Sequence, residues 1–256
     1  MSDSRLVIHP QFRSKFLRNK RDLIVYLPPG YDEQPDRRFP VLYLHDGQNL
    51  FDPATAFGGS DWHVRQSADA VIYDGTTEPL IIVGVYNTGK SRIGEYTPTK
   101  APKLGGGRAD NYGKFLIQEV LPFIRNTYRT QNDFWRTGIG GSSLGGLVSL
   151  YLGLRMPDVF GRIAALSPSV WWNQRVINRF AEAAPVEPRP RVWLDIGTSE
   201  GPRIVDDVER FRDILLHKGW QYGKDLHYDR IEGAQHNEAA WAQRVGPFLR
   251  FLFPVQ

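Results

Sequence analysis

Ser143 stands in the run Gly141-Ser142-Ser143-Leu144-Gly145-Gly146, with a glycine two positions before it and another two positions after it. A serine hydroxyl becomes a nucleophile toward a carbonyl carbon when a base beside it takes its proton. A sharp strand-to-helix turn, the nucleophile elbow, presents such a hydroxyl. It also crowds the flanking positions, so that only residues almost without side chains fit there. For Ser142 the second flanking position is Leu144, so Ser143 is the expected nucleophile. Gly197-Thr198-Ser199-Glu200-Gly201 satisfies the same G-x-S-x-G pattern, and the surroundings separate the two. After Ser143 a helical pattern begins at once, with Leu147, Leu150, Tyr151 and Leu154 at helical spacing, whereas Gly201-Pro202 after Ser199 delays a helix and leaves a loop.

Acyl transfer by serine needs a base and an acid that orients it, and behind an elbow of this type the chain order is serine, acid, histidine. Three of the six histidines follow Ser143. His217 falls in the last turn of a helix pattern and His227 inside a strand pattern. His236 follows the last strand-like run in a polar turn, which suits a base at the sheet edge. Glu200 is the expected acid because it lies in the loop past the strand before last. Asp206 or Asp207, Asp195, and a serine–histidine pair without an acid are the alternatives. The oxyanion needs two N–H donors, each worth about 3 kcal/mol of barrier. The backbone N–H of Leu144 is one, and the N–H of Gln48, in the loop His45-Asp46-Gly47-Gln48-Asn49, is the expected other.

These groups must hang on a sheet. Short apolar runs over 40–44, 80–86, 134–139, 162–166, 191–196 and 225–231 alternate with helix-like stretches over 62–73, 110–128, 144–156, 172–183, 204–218 and 237–252. Such alternation predicts an α/β fold with a mostly parallel central sheet covered by helices on both faces, and the elbow at Ser143 resembles that of the α/β-hydrolase fold. Runs over 11–17 and 22–27 about a turn at 18–21 predict an N-terminal antiparallel hairpin. Prominent loops fall at 51–61, 87–107 and 185–190; the second follows a strand's carboxyl end, where open sheets of this kind place their ligand crevice. With 41% hydrophobic residues, a chain of 256 can bury one core, and a single domain over 1–256 is expected.

Composition removes other classes. The chain has no cysteine, so disulfides, thiolate metal sites and a cysteine nucleophile are excluded together. Its net charge of +4 comes from 32 basic residues scattered among 28 acidic ones, and the cluster Arg13, Lys15, Arg18, Lys20, Arg21 has hairpin spacing, so no nucleic-acid partner is expected. Residues 1–10 hold no apolar core of signal-peptide length, and no run approaches the roughly 18 apolar residues of a membrane span, which predicts a cytoplasmic protein without a membrane partner. His45, Asp46, Asp52, Asp61 and His63 match no metal-ligand spacing; structural hydrogen bonding is their expected role, and neither metal nor cofactor is expected.

The aromatics Phe51, Trp62, Tyr96, Trp171, Trp172 and Trp241 fall at or beside segments expected along the carboxyl edge of the sheet. They are candidates to grip an aryl or sugar group, with core packing as the alternative. Arg92 is a candidate clamp for an anionic substituent, or the partner of Glu95.

The segments Tyr43-Leu44-His45-Asp46-Gly47-Gln48-Asn49-Leu50-Phe51, Gly94-Glu95-Tyr96-Thr97-Pro98, Gly141 to Gly146, Ser167-Pro168-Ser169-Val170-Trp171-Trp172, Gly197 to Gly201 and His236 resemble a family of esterases among the α/β hydrolases. That family is similar to the esterase D, feruloyl esterase, enterochelin esterase and mycolyltransferase groups. The resemblance covers most of 22–252 and implies a serine carboxylesterase with Ser143 as nucleophile, His236 as base and Glu200 in the acid's place. The Tyr-Thr-Pro and Ser-Pro-Ser-x-Trp-Trp pieces resemble the siderophore-esterase branch, some of whose members work with a serine–histidine pair. A small-molecule ester is the implied substrate. Acyl transfer to an alcohol and a non-catalytic binding protein of the same fold are the other readings.

Overall fold

The computed structural model describes residues 3–185 and 187–255. Met1 and Ser2, in the segment read above for a leader, and Val186, in the loop expected over 185–190, lie outside the described residues. Eight strands form one sheet in the order β1 (Arg5–Arg13), β2 (Lys20–Leu27), β4 (Ile81–Val85), β3 (Val41–His45), β7 (Thr137–Ser142), β8 (Arg162–Leu166), β9 (Arg191–Gly197), β10 (Leu226–Ile231). A two-stranded ribbon, β5 (Lys100–Ala101) with β6 (Gly105–Gly106), stands apart. β1–β2 and β2–β4 pair antiparallel, and every pair from β4 through β10 is parallel. This is the α/β-hydrolase fold, with a mostly parallel sheet between two helical layers.

The central strands read as continuous apolar runs because both of their faces are covered. All five residues of β3 and all five of β4 are buried. Alternation then sorts their side chains. Val41, Tyr43, Ile81, Val83 and Val85 join one core with Leu147, Leu150, Ile177 and Phe211, from α5 (Leu144–Arg155), α7 (Ile177–Ala183) and α8 (Pro202–His217). Leu42, Leu44 and Ile82 face the opposite way, against Val64, Ala68 and Val71 of α1 (Val64–Tyr73) and Val245, Phe248 and Leu252 of α10 (Val245–Leu252). Each fully buried Leu, Val, Ile or Phe contributes about 1.5–3 kcal/mol relative to its exposed state. Among the described residues no helix is long and apolar enough to cross a membrane.

Several boundaries differ from the sequence expectation. The first hairpin strand is β1 over Arg5–Arg13, not 11–17, and a register shift between His9 and Phe12 interrupts its pairing with β2. It is an edge strand with no buried residue, and its apolar Leu6, Val7 and Ile8 are consecutive, so its apolar alternation is weak. The strand expected at 134–139 is β7 at Thr137–Ser142; Phe134–Arg136 is a 3-10 turn. β7 carries Gly138, Gly140 and Gly141, which read as turn formers but are required by packing. A Cβ on Gly140 would lie 2.7 Å from the Cβ of Ala164 and 3.0 Å from Leu44 Cδ2.

The helix expected at 110–128 is α3 (Ala109–Phe115) and α4 (Leu121–Thr127), joined by a π-helical turn at Leu116–Val120. Pro122 has no N–H to give and its ring strikes a carbonyl one turn back, which the wider turn accommodates. α8 starts directly at Pro202, whose fixed φ suits the first helical position, so Gly201-Pro202 does not delay it. The stretch expected at 172–183 divides into α6 (Trp172–Arg175) and α7, and that at 237–252 into α9 (Glu238–Ala242) and α10. Within the 87–107 loop, a short helix, α2 (Arg92–Glu95), precedes the β5–β6 ribbon.

The chain leaves β3 toward β4 on one side and resumes the sheet at β7 on the other. Strand order reverses there, and the crevice beyond the carboxyl ends of β3 and β7 is where an open α/β sheet receives ligands.

Candidate active site

Ser143 is the residue at which β7 ends and α5 begins, and it holds φ 57°, ψ −122°. A non-glycine residue there costs on the order of 1–3 kcal/mol, which the surrounding structure must offset. Two backbone bonds do so: Ser143 N–H donates to Leu166 O at 3.0 Å, and Ser169 N–H donates to Ser143 O at 2.9 Å. The glycines of the motif admit the turn. A Cβ on Gly141 would approach the Gly145 backbone at 3.1 Å and the Cβ of His45 at 3.2 Å.

Ser143 Oγ lies 2.9 Å from His236 Nε2, and His236 Nδ1 lies 2.6 Å from Glu200 Oε2. His236 follows β10, and Glu200 closes the 3-10 turn Thr198–Glu200 after β9. The two remaining C-terminal histidines lie elsewhere: His217 ends α8, and His227 in β10 stacks on Trp193 at 4.0 Å. The other Glu200 oxygen, Oε1, accepts the Gly197 N–H at 3.0 Å and the Ser167 hydroxyl at 2.5 Å. Burial pushes the Glu200 carboxyl up, but the hydrogen bonds from His236, Ser167 and Gly197 outweigh it and hold it below its ordinary value.

The alternative acids have other partners. Asp195 is fully buried and accepts from Ser167 N–H at 3.0 Å, Trp193 Nε1 at 2.7 Å and Arg244 Nη1 at 2.5 Å. Burial raises its pKa against the pull of Arg244. Asp207 is buried against Arg175, and Asp206 is exposed on α8.

A cavity of about 420 Å³ opens beside Ser143 and His236. Gln48 lines it from the 3-10 turn Gly47–Asn49 after β3. Leu144 is the first residue of α5, so its N–H has no carbonyl one turn back to satisfy it. Asp46 and His45, weighed above as metal ligands, build the wall behind this loop. Asp46 accepts from Arg92 Nε at 2.8 Å, Arg92 Nη2 at 2.7 Å and Asn87 Nδ2 at 2.7 Å. Burial pushes Asp46 up, yet Arg92 and Asn87 keep it below the usual carboxylate range. His45 Nδ1 lies 2.9 Å from Tyr112 Oη.

The expected substrate-gripping residues separate. Arg92 lines the cavity, but its partner is Asp46 and not Glu95, which pairs with Arg21 at 2.9 Å. Trp62, Tyr96 and Trp172 are buried. Trp62 backs Trp241 at 5.9 Å, Tyr96 Oη accepts the Asp46 N–H at 3.3 Å, and Trp172 Nε1 donates to Thr99 O at 2.9 Å. Phe51 packs half-buried against the second core, and Trp171 is exposed outside the cavity lining.

Trp241 does line the cavity; it meets the His236 ring edge-on at 4.9 Å and donates to Ser167 Oγ at 3.2 Å. Sequence reasoning passed over Asn49, Phe57, Asn87 and Glu238 in the lining, and Ser167 and Arg244 beneath Glu200. Position gave two signals: Asn87 follows a strand's carboxyl end, and Glu238 is two residues from His236.

A family model described as "Putative esterase" matches residues 14–252. The chain is 30% identical over 236 residues to the endo-1,4-beta-xylanase/feruloyl esterase of Xylanibacter ruminicola; the match covers 90% of this chain and 29% of that longer protein. It is 33% identical over 159 residues to the ferri-bacillibactin esterase BesA of Bacillus subtilis, covering 56% of this chain and 52% of that one. Among solved structures, the BES protein from Bacillus cereus aligns with a TM-score of 0.80 at 22% identity, over 100% of this chain and 96% of that one. The match across nearly the whole chain shows that it belongs to this esterase family, whose members are carboxylic ester hydrolases built on the α/β-hydrolase fold.

Proposed function

We propose that the chain, acting as one domain, hydrolyses small-molecule carboxylic esters through an acyl-enzyme on Ser143. Ser143 Oγ attacks the ester carbonyl while His236 Nε2 takes its proton and passes it to the departing alcohol. A water then gives a proton to His236 and attacks the acyl group, and Ser143 leaves with that proton. Glu200 holds His236 by its Nδ1–H, and the N–H groups of Gln48 and Leu144 receive the oxyanion. The observation that carries this reading is the unbroken line from Ser143 Oγ through His236 to Glu200, at 2.9 and 2.6 Å, beside a cavity of substrate size. Feruloyl and siderophore esterases among the relatives make aryl, sugar and siderophore esters the panel to assay.

Hydrolysis of p-nitrophenyl butyrate and labelling by a fluorophosphonate, in the parent and in Ser143→Ala, test it. The variant is expected to lose more than about a thousandfold in kcat and all labelling. A variant as active as the parent overturns the assignment.

A further inference from the structure

The polar side chains of the cavity largely engage one another. Asn87 Oδ1 accepts the Gly89 N–H at 2.8 Å, Gln48 Oε1 accepts the Asn87 N–H at 3.2 Å, and Asn49 Oδ1 accepts the Phe57 N–H at 3.0 Å. Arg92 closes onto Asp46 through two hydrogen bonds, so the one cationic side chain of the lining is matched by a carboxylate. Glu238 is the exception. It accepts from Asn49 Nδ2 at 3.1 Å but has no lysine or arginine in an ion pair among the described residues. Lys90 follows the lining Gly89 in sequence, yet it is exposed and not part of the lining.

The lining therefore carries one uncompensated negative charge. Burial pushes the Glu238 carboxyl up first and the negative Asp46 pushes it further, against the hydrogen bond from its own backbone N–H and the pull of His236 and Arg92. A partly desolvated carboxylate that already repels one neighbour repels any second anion brought into the same cavity, since charges there are screened far less than in water.

We propose that Glu238 sets the charge class of the substrate, so that the site takes uncharged esters and rejects those carrying an anionic group into the cavity. The proposal rests on the reading of Ser143 as nucleophile. Like-charge juxtaposition at a binding site acts as discrimination built from repulsion, independent of how well the favoured ligand binds.

The test compares kcat/KM at pH 8 for p-nitrophenyl butyrate, which is uncharged, and mono-p-nitrophenyl glutarate, whose acyl chain ends in a carboxylate. Three proteins are assayed: the parent, Glu238→Gln and Ser143→Ala. The glutamine keeps an acceptor oxygen for Asn49 and removes the charge, exchanging the second oxygen for an NH2 donor. The ratio of anionic to uncharged ester is expected to rise about tenfold in Glu238→Gln. Because both esters share leaving group and catalytic groups, a general loss of activity or stability cancels from the ratio. An unchanged ratio overturns the proposal. If Ser143→Ala abolishes turnover of both esters while the Glu238→Gln ratio stays put, the charge assignment alone fails; if Ser143→Ala still hydrolyses them, the nucleophile reading fails.

Discussion

Ser167 Oγ lies 2.5 Å from Glu200 Oε1, and the same oxygen accepts from Arg244 Nη1 at 2.8 Å and Trp241 Nε1 at 3.2 Å. A hydroxyl has one proton and two lone pairs. With N–H donors on both lone pairs, the proton of Ser167 has one acceptor left, Glu200. Arg244 is in turn fixed by the buried Asp195, which also takes the backbone N–H of Ser167. The carboxylate hydrogen-bonded to His236 thus rests on a buried polar chain that ends in an ion pair.

Removing that hydroxyl separates orientation from substrate binding. Ser167→Ala is expected to lower kcat roughly ten- to a hundredfold with KM nearly unchanged, because Glu200 Oε1 loses one of its two donors and is held less firmly, while Ser167 itself does not line the cavity. Two buried donors lose their acceptor, so unfolding free energy should fall by about 1–3 kcal/mol. Steady-state kinetics and urea denaturation read the two effects separately. A rise in KM at constant kcat would show that Ser167 shapes the cavity instead.

Gly197 holds the loops of Glu200 and His236 together. A Cβ there would lie 2.2 Å from Ala234 O, in the turn that leads to His236. Its own N–H bonds Glu200, and the Ser199 N–H donates to Ala234 O at 3.2 Å. Gly197→Ala must push the two loops apart, and a shift of about 1 Å between acid and base costs on the order of a hundredfold in rate. Overpacking one methyl costs about 1–3 kcal/mol of stability. The expected result is a protein that still unfolds cooperatively near the parent's midpoint but turns over ester about a hundredfold more slowly. Activity within threefold of the parent would mean that the loops yield without disturbing the hydrogen bonds between them.

What the sequence made legible was local. The glycines flanking Ser143 are demanded by sterics within four residues, and His236 is the histidine after Ser143 that falls in a turn pattern and not in a helix or strand pattern, so the placement of both beside one another was legible from local patterns. The aromatics were read less well. Whether Trp62, Tyr96 and Trp172 face a cavity or a core depends on which loop folds over them, and that is settled by contacts such as Trp172 to Thr99, 73 residues apart in sequence. Asp195 is legible as an acid within its strand, but its partner Arg244 escapes for the same reason. A charged pair buried beneath the site leaves no periodic signal, and the break between α9 and α10 that turns Arg244 inward lies within one apolar helical pattern. The start of β7 was misplaced because Gly138 and Gly140 weaken a strand by propensity, while their packing against β3 and β8 is tertiary.

His45 makes a last prediction, about acid stability. It ends β3 beneath the elbow, fully buried, with its Cβ 3.2–3.3 Å from where side chains on Gly141 and Gly145 would begin. Burial pushes its pKa down to about 3, outweighing the attraction of Asp46. In the unfolded chain the imidazole titrates near 6.5, so below that pH the unfolded state binds a proton that the native state refuses. Unfolding free energy must therefore fall as pH drops from about 6.5 toward 3, by up to about 1.4 kcal/mol per pH unit from this group, and His45 makes no such demand above that window. His45→Gln removes the titration and offers an amide to Tyr112. It is expected to be less stable than the parent at pH 7.5, with a deficit that shrinks steadily through pH 6.5, 5.5 and 4.5 in urea titrations. A deficit that is the same at all four pH values would mean that the native protein accepts the proton at His45, with an imidazolium directly under the turn that holds Ser143.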